Sequence, residues 1–125
     1  MCLCIEPLPK SYPCDFINDL GEALALVDEV GERGFGLHVD GSSLHTGETD
    51  VPAALAAARG RIEHFHLSEP KLLPVRLSGP TPLVEYLRML KGFAYPNWVS
   101  VEMLEPGAGE LEQCLREVRQ AWDSA

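Results

Sequence analysis

The chain has 125 residues, of which 46% are hydrophobic, with 19 acidic against 10 basic residues and a formal charge of −9. That composition belongs to a single globular domain over residues 1–125. Its negative charge, with no run of Lys or Arg, disfavours nucleic acid and anionic membrane surfaces as partners, and no stretch reaches the ~18 apolar residues of a membrane span.

The N-terminal Met1-Cys2-Leu3-Cys4-Ile5-Glu6 lacks the basic start and long apolar core of an export signal, so a cytoplasmic location is expected. Cys2 to Pro7 is a short apolar run closed by Pro-Leu-Pro and reads as a strand. Ile17 to Val30 places Leu20, Ala23, Leu24, Leu26 and Val27 at helical spacing with acidic residues between them, and Gly31 and Gly34 end that helix. Phe35 to Val39 reads as a second strand running into a Gly41-Ser42-Ser43 loop. Val51 to Arg59 is Ala-rich and helical, and Gly60 stops it. Ile62 to Leu67 reads as a third strand, followed by a loop with Pro70, Pro74, Gly79 and Pro80. A helix starting near Thr81 carries Leu83, Val84, Tyr86, Leu87 and Leu90, and Gly92 and Pro96 break it. Trp98 to Met103 reads as a fourth strand and Glu110 to Trp122 as the last helix. Four alternations of strand and helix predict an α/β fold with a parallel sheet. The cysteines Cys2, Cys4, Cys14 and Cys114 have neither disulfide-framework density nor zinc-ribbon spacing, and read as reduced thiols.

Counting each strand in twos separates its two faces. One row is Leu3 and Ile5, Leu37 and Val39, Phe65 and Leu67, Val99 and Val101, as expected of a face packed under helices. The other is Cys4 and Glu6, His38 and Asp40, His64 and His66, Ser100 and Glu102. Its last member is a metal-ligand type in all four strands. Glu6, Asp40, His66 and Glu102 are therefore expected at the C-terminal ends of neighbouring parallel strands, where α/β folds hold their active sites. Three carboxylates and one imidazole suit Mn²⁺, Mg²⁺ or Co²⁺ better than thiolate-loving ions. Taken singly, a Glu near a strand end is usually a solvated rim residue and a lone His usually a hydrogen-bonded one. His38 and His64, one layer deeper, read as supporting or core residues.

The order of these signals resembles the C-terminal half of the xylose-isomerase-like sugar phosphate isomerase/epimerase superfamily, a group of metal-dependent TIM barrels. Four passages carry it. Cys4-Ile5-Glu6-Pro7-Leu8, with Phe16-Ile17-Asn18 following, is similar to the family's fifth strand and its loop, and Gly36-Leu37-His38-Val39-Asp40 to the sixth. His64-Phe65-His66-Leu67-Ser68-Glu69-Pro70 is similar to the seventh, and Trp98-Val99-Ser100-Val101-Glu102-Met103 to the eighth. The resemblance implies four parallel βα units, half of a (β/α)₈ TIM barrel comprising strands five to eight. It implies a divalent cation held by Glu6, Asp40, His66 and Glu102, with Glu6 and Glu102 as the catalytic pair. Many members carry a substrate-touching His three residues after the strand-six Asp. Here that place is Ser43, with His45 two further on, and both are candidate substrate contacts together with Glu69 and Lys71.

The function the resemblance implies is a divalent-metal-dependent sugar or sugar phosphate isomerase or epimerase, or its catalytic half. It would work through an enediolate, with proton transfer between two glutamates. The alternative is a non-catalytic half-barrel or assembly subunit that retains the ligand residues. A related apurinic endonuclease activity fits poorly with the acidic surface. Since a full barrel needs about 250 residues, the chain is expected to self-associate or to pair with an N-terminal half, because strand edges left open by a half-barrel present unpaired backbone groups.

Overall fold

The structure, a computed structural model, describes residues 1–107 and 109–125. Its elements in chain order are β1 (Leu3–Ile5), α1 (Leu20–Val30), β2 (Phe35–Asp40), α2 (Gly41–Gly47), α3 (Val51–Ala58), β3 (Ile62–Leu67), α4 (Leu83–Gly92), β4 (Val99–Val101) and α5 (Glu110–Ser124), with one 3₁₀ turn at Pro70–Leu72. The strands form one sheet in the order β1-β2-β3-β4, every neighbouring pair parallel. Parallel neighbours require a crossover between them, and helices supply each one. The result is four consecutive strand–helix units, the arrangement expected for half of a (β/α)₈ barrel.

One face of the sheet makes the core. Leu37, Val39, Phe65 and Leu67 are each no more than 1% exposed and pack against Leu20, Ala23 and Val27 of α1, Leu55 and Ala58 of α3, and Tyr86, Leu87 and Leu90 of α4. Helix α1 starts where the Asp19 carboxylate accepts from the Glu22 N–H, and ends at Gly31, whose left-handed backbone (φ 62°) lets its N–H reach the Val27 carbonyl. Asp50 caps α3 in the same way through the Ala53 N–H. Each such cap contributes about 1 kcal/mol.

The sequence places a loop at Gly41-Ser42-Ser43, and the structure replaces it with the first turn of α2. Asp40, the last residue of β2, also serves as the helix cap, its side chain accepting from the Ser43 N–H. Gly41 fits this tight corner because a β-carbon there would lie 3.2 Å from the His66 carbonyl oxygen. The strand bounds differ as well. β1 and β4 are three residues each, so Glu6 and Glu102 sit one residue past the strand ends.

Between β2 and β3 the register shifts, with Leu37 opposite Ile62 and His38 opposite His64. The bulge leaves Glu63 without a register partner. It turns His64 and His66 onto the face that carries His38 and Asp40, while Ile62, at 4% exposure, stays in the core.

Candidate metal centre at the strand ends

Asp40 is buried at the end of β2. Its Oδ1 accepts from the Ser43 N–H at 2.8 Å and its Oδ2 accepts from the Ser68 hydroxyl. Ser68 Oγ in turn accepts from the Ser42 N–H at 3.0 Å. This chain of bonds ties the α2 N-terminus to the segment after β3 and leaves the carboxylate little rotational freedom. His66 is the register partner of Asp40 on the next strand. Glu102 is brought to the same place by its own N–H, which bonds the Leu67 carbonyl at 2.9 Å, and its Oε2 lies 3.3 Å from His66 Nδ1. Asp40, His66 and Glu102 each offer a ligand atom, and all three atoms lie within 4.8 Å of one another. Two hard carboxylates and a borderline imidazole at that spacing fit a divalent cation of the Mn²⁺ or Mg²⁺ kind.

Glu6 lies at the far side of the sheet and outside this triad. Its Oε2 is 3.2 Å from His38 Nδ1. Burial acts to lower the His38 pKa, but the hydrogen bond that His38 donates to Glu6 and the charges of Glu6, Asp40 and Glu102 outweigh it and hold the imidazole above its ordinary value. His64 moves the other way, lowered by burial and then by its neighbours His66 and His38. Its Nε2 pairs with the Ser100 hydroxyl at 2.6 Å. The three imidazoles form one cluster on the inner face, with ring centroids 4.2 to 5.4 Å apart. His38 Nε2 is buried and has no hydrogen-bond partner among the described residues.

The other expected site residues are placed as follows. Ser43 is half-buried beside Asp40 and walls a crevice with Pro7, Pro9 and Asn18. His45 is exposed on α2. Lys71 is exposed in the 3₁₀ turn with a left-handed backbone (φ 62°). Glu69 is only 2% exposed, its Oε2 accepting from the Thr81 N–H at 3.1 Å, so it is neither a solvated charge nor at the surface. Reading the sequence did not single out Ser68 or Ser42, which hold the Asp40 carboxylate, or the pairing of His38 with Glu6. Continuing the β1–β2 register one step past Ile5–Leu37 would have brought Glu6 beside His38.

Of the basic groups in the loop after β3, Lys71 is exposed whereas Arg76 is already engaged. In the loops after β3 and β4, Arg76 lies 3.8 Å from Glu110 and 4.0 Å from Glu117. Glu110 also accepts from the Gly107 N–H at 2.6 Å, and Glu117 accepts from the Leu77 N–H at 2.7 Å.

Four parallel strand–helix units with ionisable side chains gathered at the strand ends define half of a (β/α)₈ barrel, its candidate site on the face where such barrels carry theirs. The chain belongs to the xylose isomerase-like TIM barrel family, whose model matches residues 1–123. Among solved structures it is similar to 3-keto-D-glucoside 4-epimerase from E. coli, with 20% identity and a TM-score of 0.83 over 95% of this chain and 46% of that one. D-psicose 3-epimerase from Clostridium cellulolyticum gives 21% identity and a TM-score of 0.73, covering 96% of this chain and 46% of the other. D-allulose 3-epimerase from Methylomonas gives 21% and 0.75, covering 98% and 44%. The chain thus spans less than half the length of these structures. At such identities the likeness is one of fold. Among the described residues, no helix is long and apolar enough to cross a membrane.

Proposed function

We propose that this chain is the metal-binding half of a sugar epimerase or isomerase, using Mn²⁺, Mg²⁺ or Co²⁺ and acting in the cytoplasm. The observation that carries this reading is the convergence of Asp40, His66 and Glu102, at the ends of three successive strands, with ligand atoms within 4.8 Å of one another. A divalent cation held there, with Glu6 as a candidate fourth ligand, would polarise a sugar carbonyl and make the adjacent C–H more acidic. The protein's own part is proton transfer. Glu6 and Glu102 follow the two outermost strands and so flank the site from opposite ends of the sheet. One carboxylate takes the proton from carbon and the other returns it, on the same carbon's opposite face for epimerisation or on the neighbouring carbon for isomerisation. His38 fixes the Glu6 carboxylate at 3.2 Å, and the Ser42–Ser68 pair fixes Asp40.

A neutral sugar fits better than a sugar phosphate. Barrels that bind phosphate commonly do so on the loops after strands seven and eight. In the corresponding loops after β3 and β4, the Gly107 and Leu77 N–H groups and Arg76 are taken by Glu110 and Glu117. A phosphate would have to displace a carboxylate to gain them. A second reading, a half-barrel that binds metal without turnover, is favoured by the place of Glu6, which lies outside the triad with its carboxylate held by His38.

The test is exchange of a ketose C–H for deuterium in D₂O, followed by NMR with and without Mn²⁺. Exchange that needs Mn²⁺ and is lost on His66→Ala supports the enzyme. Mn²⁺ binding without exchange, including after supply of an N-terminal half-barrel, supports the second reading. A chain that does not bind Mn²⁺ at all refutes both.

A further inference from the structure

We propose that Glu69 is a positioning residue for the metal centre: its buried carboxylate closes the loop after β3 on itself, and that loop sets Asp40 on one side and Glu102 on the other. The inference rests on the metal reading of the triad given above. The loop leaves β3 at Ser68 and returns at Thr81. The Glu69 carboxylate is enclosed within it, with Oε2 accepting from the Thr81 N–H at 3.1 Å. Gly79 lies so close to the other oxygen that a β-carbon there would collide with Oε1, so glycine is what leaves the carboxylate its place. The Glu69 carbonyl accepts from the Leu72 N–H at 2.9 Å. On the way the chain passes through Lys71 and Leu72, both left-handed (φ 62° and 53°) although neither is glycine. That conformation disfavours residues with side chains and persists where the surroundings hold it.

Two arms run from this loop to the ligands. Ser68, the neighbour of Glu69 and itself fully buried, takes the Ser42 N–H at 3.0 Å and donates to the Asp40 carboxylate. Thr81 closes on the same corner, since a β-carbon at Gly41, the residue after Asp40, would lie 3.5 Å from its methyl carbon. The second arm starts at Leu72, whose carbonyl accepts at 2.9 Å from the N–H of Leu104, two residues beyond Glu102. Glu102 in turn bonds through its own N–H to the Leu67 carbonyl, where the loop begins. Glu69 joins the two arms, by its carboxylate to Thr81 and by its carbonyl to Leu72. Groups that orient a metal ligand without touching the metal change its affinity by about 10–100-fold.

The experiment compares Glu69→Ala and Glu69→Gln with the wild-type chain. Mn²⁺ affinity is read by electron paramagnetic resonance under conditions where circular dichroism shows each variant folded, so that a loss of stability alone leaves it unmoved. Glu69→Ala should bind Mn²⁺ about tenfold more weakly or worse. Glu69→Gln, which keeps an oxygen for the Thr81 N–H, should recover most of that loss. If Glu69→Ala does not fold, Gly79→Ala takes its place, because it keeps the carboxylate in the chain and pushes it aside, and it should weaken binding in the same direction. In the metal-free chain, hydrogen exchange of the Ser42 and Ser43 amides, held by Ser68 and Asp40, should quicken several-fold in the same variant while the amides of α1 keep their rates. Wild-type Mn²⁺ affinity in the variant, an equal loss in Glu69→Gln, or unchanged exchange at Ser42 and Ser43 would overturn the proposal. A wild-type chain that binds no Mn²⁺ overturns the metal reading itself, and this inference with it.

Discussion

Asp40 holds two positions at once, helix cap and candidate ligand, and two substitutions separate them. Asp40→Ala removes the acceptor for the Ser43 N–H, costing about 0.5–2 kcal/mol. It also takes the partner from the buried Ser68 hydroxyl, which costs a further ~1–3 kcal/mol when the hydroxyl is left unpaired. The expected loss is therefore about 1.5–5 kcal/mol in urea unfolding of the metal-free chain. Asp40→Asn keeps a side-chain oxygen for the Ser43 N–H and caps nearly as well as Asp. Its amide cannot accept from Ser68 while it faces that hydroxyl with its nitrogen, so about 1–1.5 kcal/mol is lost. Mn²⁺ affinity falls in both, since each removes one of only two carboxylates in the triad. The fall should be ~100-fold or more, because partners that merely orient a ligand already contribute 10–100-fold. Urea titration reads the first quantity and electron paramagnetic resonance of free Mn²⁺ the second. Asn at position 40 with wild-type Mn²⁺ affinity refutes the ligand role, and equal destabilisation by both variants refutes the capping account.

Gly79→Ala should destabilise the fold by about 1–3 kcal/mol, because the added methyl collides with the buried Glu69 carboxylate and lies 3.1 Å from the Arg76 carbonyl oxygen. An unchanged urea midpoint would show that Glu69 moves freely. In the metal-free chain, NMR titration should find His38 with a midpoint above the ordinary 6.5 and His64 below it. The His38–Glu6 pair then adds stability that is complete below 6.5 and lost as the pH rises through the higher folded value. The neutral His64 adds stability that is complete above 6.5 and lost as the pH falls through the lower one. The reverse order of midpoints would mean the Glu6 contact does not form. Burial, with the Cys2 thiol beside it, pushes the Cys4 thiol up to about 11, so near neutral pH only about a thousandth or less is thiolate. Mass spectrometry after brief iodoacetamide treatment should find Cys4 largely unmodified, and rapid alkylation there would refute its burial.

How much of this could be read in advance depends on whether the cause is local. The α/β alternation was readable because the core row of Leu37, Val39, Phe65 and Leu67 and the helical faces of α1 and α4 are written in apolar spacing, which burial then enforces. The in-phase positions of Asp40, His66 and Glu102 followed from period two, but only because counting in β3 began at His64. Begun at Ile62 it would have mixed a core residue with the histidines, since the bulge at Glu63 resets the phase. Helix α2 escaped notice for a different reason. Gly-Ser-Ser has a loop's composition, and what makes it helical is the Asp40 carboxylate, which a strand-based reading assigns to the sheet.

Glu69 and Glu6 depend on residues distant in sequence. A glutamate after a strand reads as a solvated charge or a substrate contact, and Glu69 is neither because Gly79 and Thr81, ten and twelve residues on, close over it. Its Oε1 and the Thr81 hydroxyl are both buried without partners among the described residues. Glu6 is turned toward His38 by a register that only pairing of two strands reveals. That pairing bears on the chemistry. With its carboxylate 3.2 Å from His38 Nδ1, Glu6 reaches a substrate proton only by exchanging that contact for the substrate. His38→Asn, which can still donate to Glu6 without carrying charge, separates the hydrogen bond from the charge. It should keep the orientation of Glu6 and with it most of the deuterium exchange rate, and a rate that falls as far as in His38→Ala would mean that the charge of His38, and not its hydrogen bond, is what the site uses.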